Sequence, residues 1–448
     1  MLAAGTLTRA RSDRRTSAGL APVALLAAVG FGVIAQGGYY APQLAIMTAL
    51  LCAAAGLGGL AAAWHPAVLG ALGLAAMAAL SGGVAGDIGG SWMMVATCVC
   101  AGTAVIVGRS LDTVERQMVV SGLVLGGTVV SALAWAGVAF HLQPFALVDG
   151  GLWRGASGLT YANATAGFLV PLALMALARL ADRRQVPSRA WSLGTYLILV
   201  GVGSTLSRGG ALGLVTGAVA LMAMLGWRRC LATWAPLALG AVAGLAGLAA
   251  SMSQSSHPSP LISGGALAVG ALVAMAGRSL PERAVPWLLA GAILVIPLVV
   301  VFTPGRWNAS SPDRAHETHA ALATIASSPV LGVSPGRYLL TWNDPVLGPR
   351  AVQYAHDEYL QMAGEIGLAG LALGALAAGL TARSAWRARV RAASWCGPIA
   401  GLAALAVHSG LDFLWHIPLI VVLAGLLVGL VVPPRTTHKE IAACTSPR

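Results

Sequence analysis

The chain has 448 residues, of which 57% are hydrophobic and only 9% are charged, with a mean hydropathy of +0.79. Soluble globular domains carry about 25% charged residues, so this composition argues against a water-soluble protein. The net charge of +12 does not indicate nucleic-acid binding, because no basic patch with interleaved aromatic residues occurs. The six cysteines fall outside the expected external loops, so no disulfide framework is predicted.

Apolar runs recur along the whole chain and predict a polytopic bundle of transmembrane helices. Many of these runs approach the roughly 20 residues that a helix needs to cross the hydrocarbon core of a bilayer. Helices also satisfy their own backbone hydrogen bonds in lipid. The predicted fold class is therefore all-α, a single membrane domain over residues 1–448 with about 12–14 spans. The predicted spans are 19–36, 41–63, 67–84, 91–108, 117–139, 163–180, 191–206, 211–227, 231–250, 262–277, 286–302, 364–382, 397–411 and 416–432.

The distribution of arginine and lysine predicts the orientation of the bundle. If the chain starts in the cytoplasm, all but six of its 27 basic residues fall in cytoplasmic segments. This asymmetry follows the positive-inside rule, and it places both termini in the cytoplasm. The arginines between residues 9 and 15 indicate a retained first span, with no cleaved signal peptide. The six basic residues expected outside are Arg154, Arg208, Arg306, Arg314, Arg337 and Arg350.

Two external segments of substantial size are predicted, residues 141–163 and residues 304–363. The larger one has a helical pattern over 313–327, a stop at Pro329, a turn-rich run through Gly336, and a second helical pattern from Tyr354. Long loops with ordered structure are usually functional. We therefore expect the active site on the external face of the bundle.

External arginines are the predicted ligands of a diphosphate group. The planar guanidinium binds phosphate oxygens bidentately and stays protonated. Arg208 stands out, because its flanking glycines are expected to let a ligand approach the backbone closely. The alternative is that Arg208 only extends to a lipid phosphate at the membrane surface. The predicted diphosphate-binding residues are Arg208, Arg314, Arg154 and Arg337.

No metal ion or other cofactor is predicted at this site. The external acidic residues do not form a tight cluster that would hold Mg²⁺. The run from His316 to His319 also departs from the His-Glu-x-x-His zinc motif.

His356 is the predicted general base, because an imidazole titrates near neutral pH and can accept a proton from a sugar hydroxyl. Glu358 is the second catalytic candidate, and a structural role for His356 is the alternative. His408, Asp412 and His416 lie near the ends of the last two spans. We expect these three residues to pair with one another between helices, although they can also line the site. The predicted substrate-lining residues are Tyr161, Asn163, Tyr359 and Asp412.

Four stretches resemble the O-antigen ligase superfamily of bacterial membrane glycosyltransferases, in sequence order and in predicted placement. They are RGASGLTYAN at 154–163, SRGG at 207–210, PVLGVSPG at 329–336, and HDEYLQ at 356–361 followed by EIGLAG at 365–370. The chain departs from the family pattern in two places. Asp357 follows His356 where the family has asparagine, and the tryptophan usual after the loop arginine is missing, with Thr318 and His319 in that region.

The resemblance implies a C-type glycosyltransferase-like fold in the bacterial inner membrane. It implies transfer of a glycan from undecaprenyl diphosphate to an acceptor hydroxyl on the periplasmic side, with inversion and without a metal. The implied partners are the lipid-linked donor, a lipid A core or other glycan acceptor, and membrane lipids. Two alternatives stay open: an O-antigen or exopolysaccharide polymerase of the same superfamily, and a polyprenyl-linked glycan flippase or transporter.

Overall fold

A computed structural model describes residues 19–58, 64–182, 188–276, 312–344, 348–390 and 392–431. The structure is 78% helical, so the predicted all-α class is confirmed. The described α-helices are α1 (Leu20–Ile34), α2 (Ala41–Gly58), α3 (Pro66–Val84), α4 (Ile88–Ser110), α5 (Thr113–Phe140), α6 (Ala162–Ala181), α7 (Arg189–Ser204), α8 (Arg208–Leu225), α9 (Trp227–Leu248), α10 (Pro260–Ala276), α11 (Pro312–Ser327), α12 (Glu358–Arg387), α13 (Ala393–Ser409) and α14 (Pro418–Val431). Two antiparallel hairpins interrupt them, β1 (Ala146–Asp149) with β2 (Leu152–Gly155), and β3 (Leu340–Asp344) with β4 (Gly348–Val352).

Eight of the described helices are long and apolar enough to cross a membrane, namely α2, α3, α4, α5, α6, α8, α9 and α12. Three more, α1, α10 and α14, are apolar but shorter. The length and composition of these helices support the assignment of the chain as a membrane protein. The predicted span 286–302 and both chain termini lie outside the described residues, and the predicted orientation stays a prediction.

Helix α6 forms the centre of the bundle and is buried along almost its whole length. Its alanine, leucine and glycine residues let α7, α8 and α13 pack closely around it. The N-terminal ends of α6 and α8 and the C-terminal end of α13 meet at one end of the bundle, through contacts described below. The candidate site lies at that end.

The segment between residues 312 and 357 forms a small unit on this end of the bundle. The predicted helix over 313–327 is confirmed as α11, which ends at Ser327 just before Pro329. Helix α11 packs on β3 through a small apolar cluster of Ala321, Tyr338, Leu340 and Ala355. The two hairpins were not predicted, because strands of four or five residues give too short an alternation to recognise.

Helix α12 is broken at Gly367, where φ is +73° and ψ is 175°. The break frees backbone groups that pair with the segment 329–334, which we call the clasp. The amides of Val333 and Ser334 donate to the carbonyls of Gly364 and Glu365 at 2.9 and 3.1 Å. The amides of Leu368 and Ala369 donate to the carbonyls of Pro329 and Val330 at 2.8 and 3.3 Å. The third family-like stretch, 329–336, is therefore hydrogen-bonded to the second part of the fourth stretch, 365–370.

Candidate functional site

A cavity of about 190 Å³ lies where α6, α8 and α13 meet the first turn of α11, and we call it the cationic cavity. It brings together four predicted site residues from distant parts of the sequence. Typical pockets for drug-sized ligands measure about 300–1,000 Å³, so this cavity suits a compact charged group and not a whole glycan. The lining residues are Asn163, Ser207, Arg208, Gly209, Arg314, His408, Leu411 and Asp412.

Arg208 is the first residue of α8, and Arg314 lies in the first turn of α11. The hydroxyl of Ser207 caps α8 by accepting from the amide of Gly210 at 3.1 Å. The N-terminal end of a helix carries partial positive charge, which favours anions. Two arginine residues and a helix N-terminus therefore line one small cavity, an arrangement that favours an anionic group.

Gly209 lines the cationic cavity, and both Gly209 and Gly210 are also needed for helix packing. A Cβ atom at Gly209 would lie 2.3 Å from Cδ2 of His408, and one at Gly210 would lie 2.6 Å from Cβ of Ala166. The two glycines thus allow α8 to lie directly against α13 and α6. The ring of His408 is held next to Ser207, with Nε2 3.4 Å from the serine hydroxyl.

A chain of hydrogen bonds connects Arg154 with His356, and its bonds converge on the carboxylate of Asp412. Arginine only donates, so the atom of Asn163 that Arg154 contacts at 2.7 Å must be its amide oxygen. The amide nitrogen of Asn163 then donates to the Tyr161 hydroxyl at 3.0 Å. Tyr161 in turn donates to both carboxylate oxygens of Asp412 at 2.8 Å. Because the Asp412 carboxylate only accepts, Nδ1 of His356, 3.1 Å away, carries the hydrogen of that bond.

The charge states along this chain follow from burial and from the neighbouring groups. Asp412 is only 1% exposed, and burial alone would raise its pKa. Hydrogen bonds that His356 and Tyr161 donate nevertheless leave the pKa of Asp412 lowered. Burial and the nearby Asp412 charge raise the pKa of Tyr161 well above its ordinary value, so the phenol keeps its proton. Asp412 is therefore an anion that orients His356.

His356 is held in a conformation that leaves Nε2 as its proton-accepting atom. With Nδ1 donating to Asp412, the neutral ring has its free lone pair on Nε2. The backbone of His356 is left-handed, with φ +48°, which is uncommon for a residue other than glycine and typical of functional sites. The next residue, Asp357, caps α12 by accepting from the amides of Tyr359 and Leu360 at 2.9 and 3.1 Å. Asparagine can serve the same capping role, so the departure from the family pattern at Asp357 preserves the local structure.

The other two predicted diphosphate ligands lie elsewhere. Arg154 is 4% exposed and uses all three guanidinium nitrogens within the protein, on the Thr205 carbonyl, on Asp149 and on Asn163. Arg154 is the first donor of the hydrogen-bond chain, and it does not line the cationic cavity. Arg337 is exposed and lies beside the turn between α3 and α4, with Nη2 3.9 Å from where a Cβ at Gly86 would stand.

Glu358 and Tyr359 are also outside the cationic cavity. Glu358 is 1% exposed, and its carboxyl group binds the backbone amides of Trp415 and His416. The Tyr359 hydroxyl donates to the carbonyl of Ala406 at 2.7 Å. Both residues line a larger cavity on the other side of α13. The structure therefore gives no geometric support to a catalytic role for Glu358.

The expected pairing among His408, Asp412 and His416 is wrong. Asp412 binds His356 and Tyr161, whereas His416 lies between Glu358 and Glu365. Helix α13 ends at Ser409, and the turn that follows places Asp412 and His416 on opposite sides of it.

The sequence analysis missed the buried hydrogen bond of 2.6 Å between Gln361 and Glu365. Their spacing of four residues on a helix was a signal that could have predicted this contact.

Within the described residues, no group of three or more histidine, cysteine, aspartate or glutamate side chains is arranged to hold a metal ion.

No protein-family model matches the sequence, and no curated protein shows significant similarity to it.

Proposed function

We propose that the protein transfers a glycan from undecaprenyl diphosphate to an acceptor hydroxyl, as the resemblance to the O-antigen ligase superfamily implies. One observation carries the proposal. The hydrogen-bond chain that orients His356 ends at Asp412, and Asp412 also lines the cavity that contains Arg208 and Arg314. A candidate base and two candidate phosphate ligands thus converge at one end of the bundle.

The reaction uses these groups in complementary roles. The acceptor oxygen attacks the anomeric carbon of the lipid-linked sugar, and the bond from that carbon to the diphosphate oxygen breaks. His356 Nε2 takes the proton that the acceptor hydroxyl loses, and Asp412 stabilises the imidazolium that forms. Arg208, Arg314 and the N-terminus of α8 stabilise the negative charge that the departing diphosphate gains.

Separate measurements of donor binding and glycan transfer test this proposal. His356→Gln and His356→Ala should bind the undecaprenyl-diphosphate-linked glycan normally, because Arg208 and Arg314 are intact. Transfer should fall by about 10²- to 10⁴-fold, the usual loss on removing a general base.

His319→Gln is the matched control, because His319 lies in the same segment and its ring is hydrogen-bonded to the Ala315 carbonyl of its own helix, at 2.8 Å. This control should retain full transfer. Normal turnover in purified His356→Gln would show that the residue does not accept the proton, and the proposed mechanism would be wrong.

A further inference from the structure

A second and much larger cavity, of about 850 Å³, lies on the other side of α13, and we call it the groove. Helices α3, α4, α12, α13 and α14 form its walls. Lining residues on α14 extend from Pro418 to Val431, which is about 20 Å at 1.5 Å per residue. This length covers most of the hydrocarbon thickness of a bilayer, so the groove can hold a lipid chain.

The groove is separate from the cationic cavity. His408, Leu411 and Asp412 line the cationic cavity, whereas Ala406 and Ser409 face the groove. The two cavities share no lining residue. The end of α13 and the turn after it form the wall between them.

One end of the groove is polar, and its two carboxyl groups accept hydrogen bonds. Glu358, Glu365, His416 and Tyr354 all line this end. Both ring nitrogens of His416 are already used, with Nδ1 3.3 Å from Glu358 and Nε2 2.9 Å from Glu365. No arginine or lysine is among the lining residues in the described part of the chain. An anionic headgroup would therefore meet carboxyl groups without a cation free to bind it.

Two buried polar atoms in the groove have no protein partner among the described residues. They are Oε2 of Glu365 and Oγ of Ser409, in side chains that are 2% and 0% exposed. The other oxygen of Glu365 accepts from His416 and from Gln361 at 2.6 Å. Leaving a buried polar atom without a partner is unfavourable. A hydroxyl group can donate to the carboxylate oxygen of Glu365 and can pair with the hydroxyl of Ser409, so these atoms indicate a ligand that supplies hydroxyl groups.

We propose that the groove binds an uncharged glycolipid, with its hydrocarbon chain along α14 and its sugar hydroxyls donating to Glu365 and Ser409. The ligand differs from the diphosphate donor in both charge and location. This site does not depend on glycan transfer at the cationic cavity, so either proposal can fail without the other.

Photolabelling of the full-length protein tests the groove. The protein is placed in phosphatidylglycerol nanodiscs with an alkyl glucoside that carries a diazirine in its chain, and labelled peptides are mapped. Labels should concentrate on α3, α4, α12, α13 and α14. An excess of unlabelled alkyl glucoside should compete, whereas undecaprenyl diphosphate should not. Labelling spread over the other helices, or equal competition by undecaprenyl diphosphate, would overturn the proposal.

Variants then test the two unpartnered atoms. Glu365→Gln removes a charge-assisted hydrogen bond and should weaken glucoside binding about tenfold, and Ser409→Ala should weaken it about threefold. Thr97→Val is the matched control, because Thr97 also lines the groove but its hydroxyl already donates to Met93 at 2.8 Å. This control should bind normally. If Glu365→Gln does not fold, Ser409→Ala carries the test, and unchanged glucoside binding in Ser409→Ala contradicts the proposed headgroup contacts.

Discussion

Replacing Gly367 by alanine should detach the clasp from α12. Gly367 has φ +73° and ψ 175°, a backbone region that is essentially restricted to glycine and costs other residues about 1–3 kcal/mol. A Cβ atom there would also lie 1.9 Å from the carbonyl oxygen of Val330, closer than any real contact. The backbone must therefore shift, and the clasp must move with it.

The expected magnitude follows from the hydrogen bonds that this shift breaks. Four backbone bonds join the clasp to α12, and each contributes roughly 0.5–1.5 kcal/mol, so about 2–6 kcal/mol of docking free energy is at risk. A loss of about 3 kcal/mol lowers the equilibrium constant for docking on the order of 100-fold. Arg314, which precedes the clasp, would then leave the cationic cavity.

Hydrogen exchange and glycan transfer measure the two consequences of Gly367→Ala. The amides of Val333 and Ser334 should exchange much faster, and transfer should fall by about one to two orders of magnitude. Gly379→Ala is the matched control in the same helix, because a Cβ at Gly379 meets nothing within 4 Å. If Gly367→Ala keeps both slow exchange and full transfer, the clasp does not position the site.

Three further predictions concern the site and the topology. Arg208→Lys and Arg314→Lys keep the charge but lose the planar fork, so donor binding in an equilibrium assay should weaken about tenfold, and unchanged binding would contradict the phosphate role. Tyr161→Phe removes the phenolic hydrogen bond to Asp412, so glycan transfer should fall about tenfold while binding of the lipid-linked glycan persists. Equal loss of transfer and of binding would indicate misfolding instead. A cysteine placed at residue 185 should resist an impermeant thiol reagent in intact cells while one at 310 reacts, and the reverse result would invert the predicted orientation.

Hydropathy and helix signals in the sequence were enough to predict most of the fold. Each predicted span inside the described residues coincides with an α-helix, and the stop at Pro329 sets the end of α11. The break in α12 was not predicted, because Gly367 lies in a continuous apolar run and its pairing partner is more than 30 residues away. Such a partner is visible only once the chain is folded.

The sequence identified residues that the structure brings together, but it did not identify their contacts. Arg208, Arg314, Asn163 and Asp412 were named from the sequence, and the structure brings them to one cavity. The neighbours of Asp412 were assigned wrongly, because closeness in sequence favoured His408 and His416, whereas the turn after α13 directs Asp412 toward His356. Hydrogen-bond partners depend on the direction of a side chain, which composition and spacing do not determine.

Both ends of the β3–β4 hairpin are held by contacts outside the hairpin. On one side the clasp holds residues 329–334 against α12, and on the other side Asp357 begins that same helix. The apolar cluster of Tyr338, Leu340 and Ala355 secures the base of the hairpin to α11. Insertions at the tip would therefore leave Arg314 and His356 in place, since loop length itself costs little free energy. A change in length between β3 and β4 can therefore leave the arrangement around the cationic cavity intact.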